Sequence, residues 1–232
     1  MLHVAWQRFK SLVHELGAPI ASLYLLDRLL HRVNNNCGVY YYRFVAQPLA
    51  DQPRLPPNRG KAFSFRLLQA PEPVLDSLDR PQAVIRDRFV QGAQCLVATR
   101  DERLVGCIWF VRGAYAEDEV RVDYSLSQQG CCVWDFDVFV AESQRGGFLF
   151  AKQWDAFDAL LRPQGVRYTV SRINAFNQRS LASHRSLGAQ DCGWALFLSL
   201  GRLQWMLSNQ YPFVSFGGRP ALRIGPKKVS ES

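Results

Sequence analysis

Apolar residues recur every three or four positions through residues 6–16 and again through 20–33, the spacing that gives a helix one buried face. Gly17 stops the first of these stretches and Pro19 opens the second, so an N-terminal helical hairpin is expected. Residues 37–49 are rich in Val, Tyr and Phe and predict a strand, whereas 50–60, with Pro53, Pro56 and Pro57, predict a loop. A second strand is expected over 61–68. Residues 81–91 predict a short helix with Val84, Ile85, Phe89 and Val90 as its buried stripe. A hairpin follows at 94–99 and 104–112, joined by Arg100, Asp101, Glu102 and Arg103, then a third strand at 120–126 and a fourth at 131–140. The order then switches to helix 144–161, strand 166–173, helix 177–187 closed by Gly188, and strand 194–200.

An antiparallel meander followed by one βαβ crossover and a further helix predicts an α/β (α+β) fold, with a mixed, mostly antiparallel central sheet flanked by helices. Three segments are expected: 1–80, the hairpin and first strands; 81–208, the main domain; and 209–232, a basic tail, Gly/Pro/Arg-rich and poorly ordered beyond Pro212. Of the 232 residues 48% are hydrophobic and 21% charged, which excludes a disordered or low-complexity chain and suffices for a real core. No apolar run approaches the roughly 18 residues of a membrane span, and residues 1–10 lack a signal-peptide pattern, so a cytoplasmic protein is expected. The six cysteines show no CxxC pair and no Cys/His ligand spacing, so they read as reduced and no metal is expected.

The formal net charge is +8, unevenly spread: residues 81–140 hold nine acidic and six basic side chains, while the flanks are basic. Such a field attracts nucleic acid, anionic lipid or a phosphorylated ligand. No arginine-rich tract or basic helix interleaved with aromatics is present, so no specific nucleic acid is expected.

Two local patterns carry chemistry. The first, 140–150, reads Val-Ala-Glu-Ser-Gln-Arg-Gly-Gly-Phe-Leu-Phe, a strand end, a turn and a helix start. Free amides at a helix start bind anions, and glycine lets a phosphate approach the backbone. The second is Asn177-x-x-Ser180-x-x-x-His184-x-x-Leu187-Gly188. Here Asn177 is placed to cap a helix, Ser180 lies a turn further on the same face, and His184 is either a proton donor or a helix-surface residue.

The element order and these two patterns, over about residues 81–200, resemble the GNAT superfamily of acyl-CoA-dependent N-acetyltransferases. The first pattern is similar to the family's pyrophosphate loop, Arg/Gln-x-x-Gly-x-Gly/Ala, with Arg145 leading; Phe148 and Phe150 stand at the later small positions and either narrow the cradle or pack beneath it. The second is similar to the family's Asn-x-x-Ala/Ser-x-x-x-Tyr-x-x-x-Gly helix, His184 replacing the tyrosine that protonates the departing thiolate. The resemblance implies transfer of an acetyl or longer acyl group from acyl-CoA to a small-molecule or peptide amine by direct attack. It places Phe139, Val140, Arg145, Gly146, Gly147, Phe148, Leu149, Phe150, Asn177 and Ser180 against CoA, the pantetheine arm lying along a splayed strand.

A base is sought on the strand 131–140. Strict alternation puts Trp134, Phe136, Val138 and Val140 on one face and Val133, Asp135, Asp137 and Phe139 on the other. Two aspartates on one face of an apolar strand imply either a reacting amine or ion pairing with Arg121 or Arg172; Glu142 is a further candidate. Two other classes stay open: a non-catalytic binding module of the same fold, and a basic protein that binds nucleic acid or a membrane surface. Oligomerisation is also open.

Overall fold

The computed structural model describes residues 2–226. In chain order it runs α1 (Leu2–Leu16), α2 (Ala18–Val33), β1 (Cys37–Pro48), β2 (Ser64–Leu68), α3 (Gln82–Val90), β3 (Gln94–Arg100), β4 (Arg103–Val111), β5 (Tyr115–Ala116), β6 (Asp123–Leu126), β7 (Cys132–Val140), α4 (Leu149–Leu161), β8 (Tyr168–Asn174), α5 (Gln178–Ser186), β9 (Gln190–Leu200), β10 (Leu203–Ser208), β11 (Val214–Phe216) and β12 (Ala221–Ile224). The result is a mixed α/β chain whose strands are mostly antiparallel, with five α-helices among the described residues. None of those helices is long and apolar enough to cross a membrane.

The chain forms two compact units: Met1–Ala46 with Glu117–Tyr124 and Arg172–Ser232, and Gln47–Ala116 with Ser125–Ser171. The expected boundary near residue 80 falls inside the second unit, and the one near 208 inside the first.

In the first unit the strands run β11-β10-β9-β1, all antiparallel. Its core is aromatic and aliphatic: Tyr42 packs on Phe197 and Phe44 on Tyr124, with Ala195, Met206 and Leu222 buried. Gly38 lies so close to α2 that a Cβ would sit 2.4 Å from the His31 ring, while the Val39 amide is capped by Asp27. The residues after Pro212, expected to be poorly ordered, instead supply β11 and β12, because Leu222 and Ile224 bury their side chains and 214–216 pairs with β10. The last part of that tail, 227–232, lies outside the described residues.

In the second unit β2-β3-β4-β7 is an antiparallel meander, and the first half of β8 joins β7 in parallel. Trp109, Phe110, Trp134, Trp154 and Phe157 are buried there. The expected third strand of the meander shrinks to β6 and belongs to a separate three-stranded sheet. Its lost half, 120–122, follows a tight turn: Glu117 accepts the amides of Asp118 and Glu119 (3.1 and 3.4 Å), which takes those amides out of any ladder.

Candidate functional site

The glycine pattern of the second unit is an open loop at a bare helix start. After β7 one 3-10 turn covers Glu142–Gln144, Arg145 is extended, and Gly146 takes φ 76°, a conformation that glycine adopts freely. The helix therefore begins at Leu149, five residues later than its apolar spacing suggests. Phe148 occupies the N-cap and offers no side-chain acceptor, and the first turn holds no acidic residue. Within the helix the first bond back across this end is Lys152 N–H to Phe148 C=O at 2.9 Å, so the amides ahead of it have no helical partner. Nothing lies within 4 Å of where a Gly146 Cβ would project.

Two guanidiniums stand at this loop. Arg145, mostly exposed, donates from Nη1 to Glu142 (3.1 Å) and from Nε to the Val140 carbonyl (3.3 Å). The Arg59 guanidinium stands 5.2 Å from the centre of the half-exposed Phe148 ring, and the Lys152 stem runs past Gly60. Phe150 leans on Trp154 with ring centres 6.3 Å apart. Thus Phe148 faces a guanidinium and Phe150 packs along its own helix, and neither occupies the space over Gly146.

Helix α4 is seated by polar anchors that its apolar spacing does not announce. Buried Gln153 donates to the Cys107 carbonyl at 2.9 Å. Gly106 makes room for it, since a Cβ there would lie 2.3 Å from Gln153 Oε1 and 3.0 Å from the Phe139 carbonyl. Leu149 packs with Ala98 and Val105. On the far turns Asp155 accepts the Arg54 and Leu55 amides and Asp158 the Ala50 amide, so the proline-rich loop is clamped to the helix.

The expected common face of Asp135 and Asp137 is not formed. Opposite them the β4–β7 register slips between Trp109 and Phe110, which pair with Asp137 and Asp135, leaving Phe136 as an extra residue. Such a bulge interrupts alternation and re-aims the side chains after it. Asp137 meets Arg88 (2.8 Å) and Arg80 (3.1 Å), and Arg88 also lies over the rings of Trp109 and Phe136. Among the described residues the ion pairs of Asp137 are with Arg88 and Arg80, not with the expected Arg121 or Arg172, and Asp135 has Ser171.

Asp135 is 1% exposed and stands beside Ser171 of β8, whose hydroxyl is 2.8 Å from both carboxylate oxygens. Burial pushes its carboxyl up to about 7, with the Ser171 hydroxyl working against the rise. The β7–β8 pairing ends at this residue, Asp135 opposite Ser171, while β7 continues to Val140 with half-exposed side chains at Phe139 and Val140. Glu142 is exposed beyond the strand end.

In the first unit, Asn177 caps α5 as its position requires, its Oδ1 accepting the Ser180 amide at 3.1 Å. Leu181 packs with Val45 and Ile173. His184 is buried rather than on the helix surface, and burial lowers it to about 4, so its ring is neutral at pH 7. A polar cavity of about 350 Å³ in this unit, lined by Tyr40, Glu119, Arg121, Gln204 and Arg219 among others, contains none of the expected site residues.

Residue-type reasoning missed Arg59, Gln153 and the aspartate clamp on α4. It also missed a buried ionic cluster in the first unit. There Arg172 grips Glu117 through Nε and Nη2 (2.6 and 2.8 Å) and reaches Glu119 (3.1 Å), which accepts the Tyr42 hydroxyl at 2.6 Å. The spacing of 55 residues between Glu117 and Arg172 carries no local signal.

No family model matches the chain, and no curated protein does. Solved structures do resemble it. A functionally unknown conserved protein from Staphylococcus epidermidis matches with TM-score 0.50 and 10% identity over 75% of this chain and 67% of its own. A tandem GNAT protein from the clavulanic acid biosynthesis pathway matches with TM-score 0.47 and 14% identity; 66% of this chain aligns, and it spans half the length of that protein. A GNAT family acetyltransferase from Elizabethkingia anophelis, solved with acetyl-CoA bound, matches with TM-score 0.39 and 12% identity over 54% of this chain and 74% of its own. At these identities the likeness is one of fold alone, the mixed α/β fold shared with the Staphylococcus epidermidis protein.

Proposed function

We propose that this protein transfers an acyl group from acyl-CoA to the amine of a small molecule or peptide by direct attack. The observation that carries the reading is the start of α4: uncapped amides behind an open glycine, with Arg145, Arg59 and Lys152 around them. A helix N-terminus of this kind binds phosphate oxygens through its amides and its dipole. Arg145 would exchange its exposed carboxylate partner Glu142 for the diphosphate. Acyl-CoA would supply the activated acyl carbon and a thiolate leaving group.

The chain's own part is to hold and to move protons. The unpaired edge of β7 at Phe139 and Val140 offers backbone groups along which the pantetheine arm can lie as an added strand. A backbone amide of 138–140 would stabilise the oxyanion as the amine nitrogen bonds to the acyl carbon. The nitrogen then loses a proton and the sulfur gains one as the C–S bond breaks. Asp135, poised near pH 7 but shut off from bulk water, would accept that proton through a bridging water, with Glu142 as the solvent-side alternative. Asp137, committed to two guanidiniums, is better read as their anchor. The resemblance assigns Asn177 and Ser180 to the pantetheine arm. His184, neutral in its buried setting, would donate a hydrogen bond to sulfur rather than act as an imidazolium.

Calorimetric titration with acetyl-CoA tests the reading. Arg145→Ala should cost roughly 1.5–3 kcal/mol of binding, the range for hydrogen bonds to charged groups, and Gly146→Glu should abolish it by placing a carboxylate in the cradle. Absence of CoA binding by the parent chain would leave a non-catalytic module of the same fold, and a steep salt slope with duplex DNA would point to nucleic acid.

A further inference from the structure

The polar cavity of the first unit, about 350 Å³, holds opposite charges apart. Three consecutive carboxylates, Glu117, Asp118 and Glu119, line it together with Arg121 and Arg219. Arg219 is committed: Nε pairs with Asp123 at 3.0 Å and Nη2 donates to the Glu117 carbonyl at 3.0 Å. The Arg121 guanidinium makes no ion pair among the described residues, and its Nε and Nη2 are withdrawn from water without an acceptor. A cation in that state is costly, because nothing offsets the hydration it has lost.

The surroundings fix this separation rather than relieve it. The Gln204 side chain clamps the Arg121 backbone, accepting its amide and donating to its carbonyl, each at 2.8 Å. Two residues earlier Glu119, its side chain 50% exposed, spends a single oxygen, Oε2, on the Tyr42 hydroxyl (2.6 Å) and on Arg172 (3.1 Å), which leaves Oε1 uncommitted among the described residues. Hydroxyl and amide groups line the sheet side of the same cavity. Gln204 lies opposite Ser199 on β9, and Ser199 opposite Gly38 on β1, which puts Tyr40, two residues further on, on the same face.

We propose that this cavity binds a small zwitterion, an amino acid without a large apolar side chain, its carboxylate at Arg121 and its ammonium at Glu119 and Asp118. A guanidinium fork matches a carboxylate, and an ammonium has three donors to share between acidic partners. Binding asks the long Arg121 side chain to turn its fork to the ligand, a rotamer change of the kind that partners commonly draw. The volume lies at the lower end of the roughly 300–1,000 Å³ of ligand sites, which suits a ligand of this size. A phosphate fits less well, since its second negative charge would meet three carboxylates on the same walls. The cavity holds none of the residues assigned to acyl transfer, so the proposal stands independently of that reading.

Calorimetric titration of the full chain in the absence of CoA tests it with glycine, L-serine and 4-aminobutyrate, which set the ammonium at short and long distances from the carboxylate. At least one should bind, one per chain. The methyl ester of that probe, which lacks the carboxylate charge, and the matching acid without its nitrogen (acetate, 3-hydroxypropionate or butyrate) should each bind at least roughly 10-fold more weakly, as loss of hydrogen bonds to charged groups predicts. Arg121→Met should weaken the probe to the same degree, while its urea midpoint holds or rises, because the variant keeps the aliphatic stem and removes a charge without a partner. The two ligand-side comparisons read the same contacts with the chain unaltered. A parent that binds none of the three probes, an ester or deaminated acid that binds as well as the amino acid, or an Arg121→Met chain with the parent's affinity overturns the proposal. So does tighter binding of inorganic phosphate that disappears in Arg121→Met, which would make this a simple anion site.

Discussion

Glu117 and Asp135 are both carboxylates withdrawn from water, one in each unit, and their surroundings treat them in opposite ways. Glu117 has a full complement of donors: two nitrogens of Arg172 and the amides of Asp118 and Glu119. Burial pushes its carboxyl up and Arg172 pulls it back, while burial on Arg172 is outweighed by Glu117, which holds the guanidinium charged. The Tyr42 ring lies 4.5 Å from that guanidinium. Asp135 has a hydroxyl as its neighbour and no cation among the described residues, so it rests between charged and neutral at physiological pH. A matched buried charge is locked and serves structure; an unmatched one can exchange a proton.

The contrast breaks most visibly at Glu117. Glu117→Gln removes the buried countercharge and leaves the Arg172 guanidinium with the half-exposed Glu119 carboxylate alone, which should cost about 3–5 kcal/mol. Urea unfolding of the variant reads this directly, and a loss below 1 kcal/mol would mean the pair is not what holds that cluster.

Asp135→Asn should act with the other sign. The unfolded carboxyl titrates near 3.8 and the folded one near 7, so the folded state holds its proton more tightly between those values. Stability from this group is complete below about pH 4 and is lost as pH rises through 7. The asparagine variant should therefore gain about 2–4 kcal/mol over the parent at pH 8 relative to pH 4. Unfolding midpoints at the two pH values check it, and an equal shift at both would show that Asp135 keeps an ordinary carboxyl.

His184 sharpens the same point from the first unit. Its folded ring titrates near 4 and the unfolded ring near 6.5, so its contribution is present above pH 6.5 and disappears as pH falls through 4. His184→Gln should remove that acid-side loss, so that the variant gains about 2–3 kcal/mol on the parent between pH 6.5 and pH 4, read from unfolding midpoints at the two pH values. Over pH 4–6.5 the two groups oppose each other, which makes the parent's stability flatter there than that of either single variant.

Local signals were readable wherever local physics decides. The hairpin breaks at Gly17 and Pro19, the Asn177 cap and the glycine loop at Gly146 all follow from backbone demands that a few neighbouring residues meet. What alternation could not foresee is the slip between Trp109 and Phe110, because a bulge is set by the partner strand. The strand expected over 120–126 starts only at Asp123 for the same reason: the turn ahead of it is set by Glu117 and Glu119, which Arg172 claims from far along the chain. Of the two readings open for His184, proton donor or surface residue, burial excludes the surface one, and nothing adjacent to it announces that its face of α5 is covered. The tail after Pro212 was misjudged because Gly and Pro set its turns while Leu222 and Ile224 anchor it.

The interleaving of the two units bears on how the protein is born. The first unit needs residues from both ends of the chain, whereas the second is complete once residue 171 has been made. At a synthesis rate of roughly 5–20 residues per second, β1 waits about 6–25 s for the segment that begins at Arg172. For that interval Tyr42 and Phe44 have no β9 to lie against, and the nascent chain offers an aromatic strand to whatever chaperone waits at the ribosome exit. The later-starting unit is the first to be able to mature, and an interrupted message would release it attached to an unfinished neighbour.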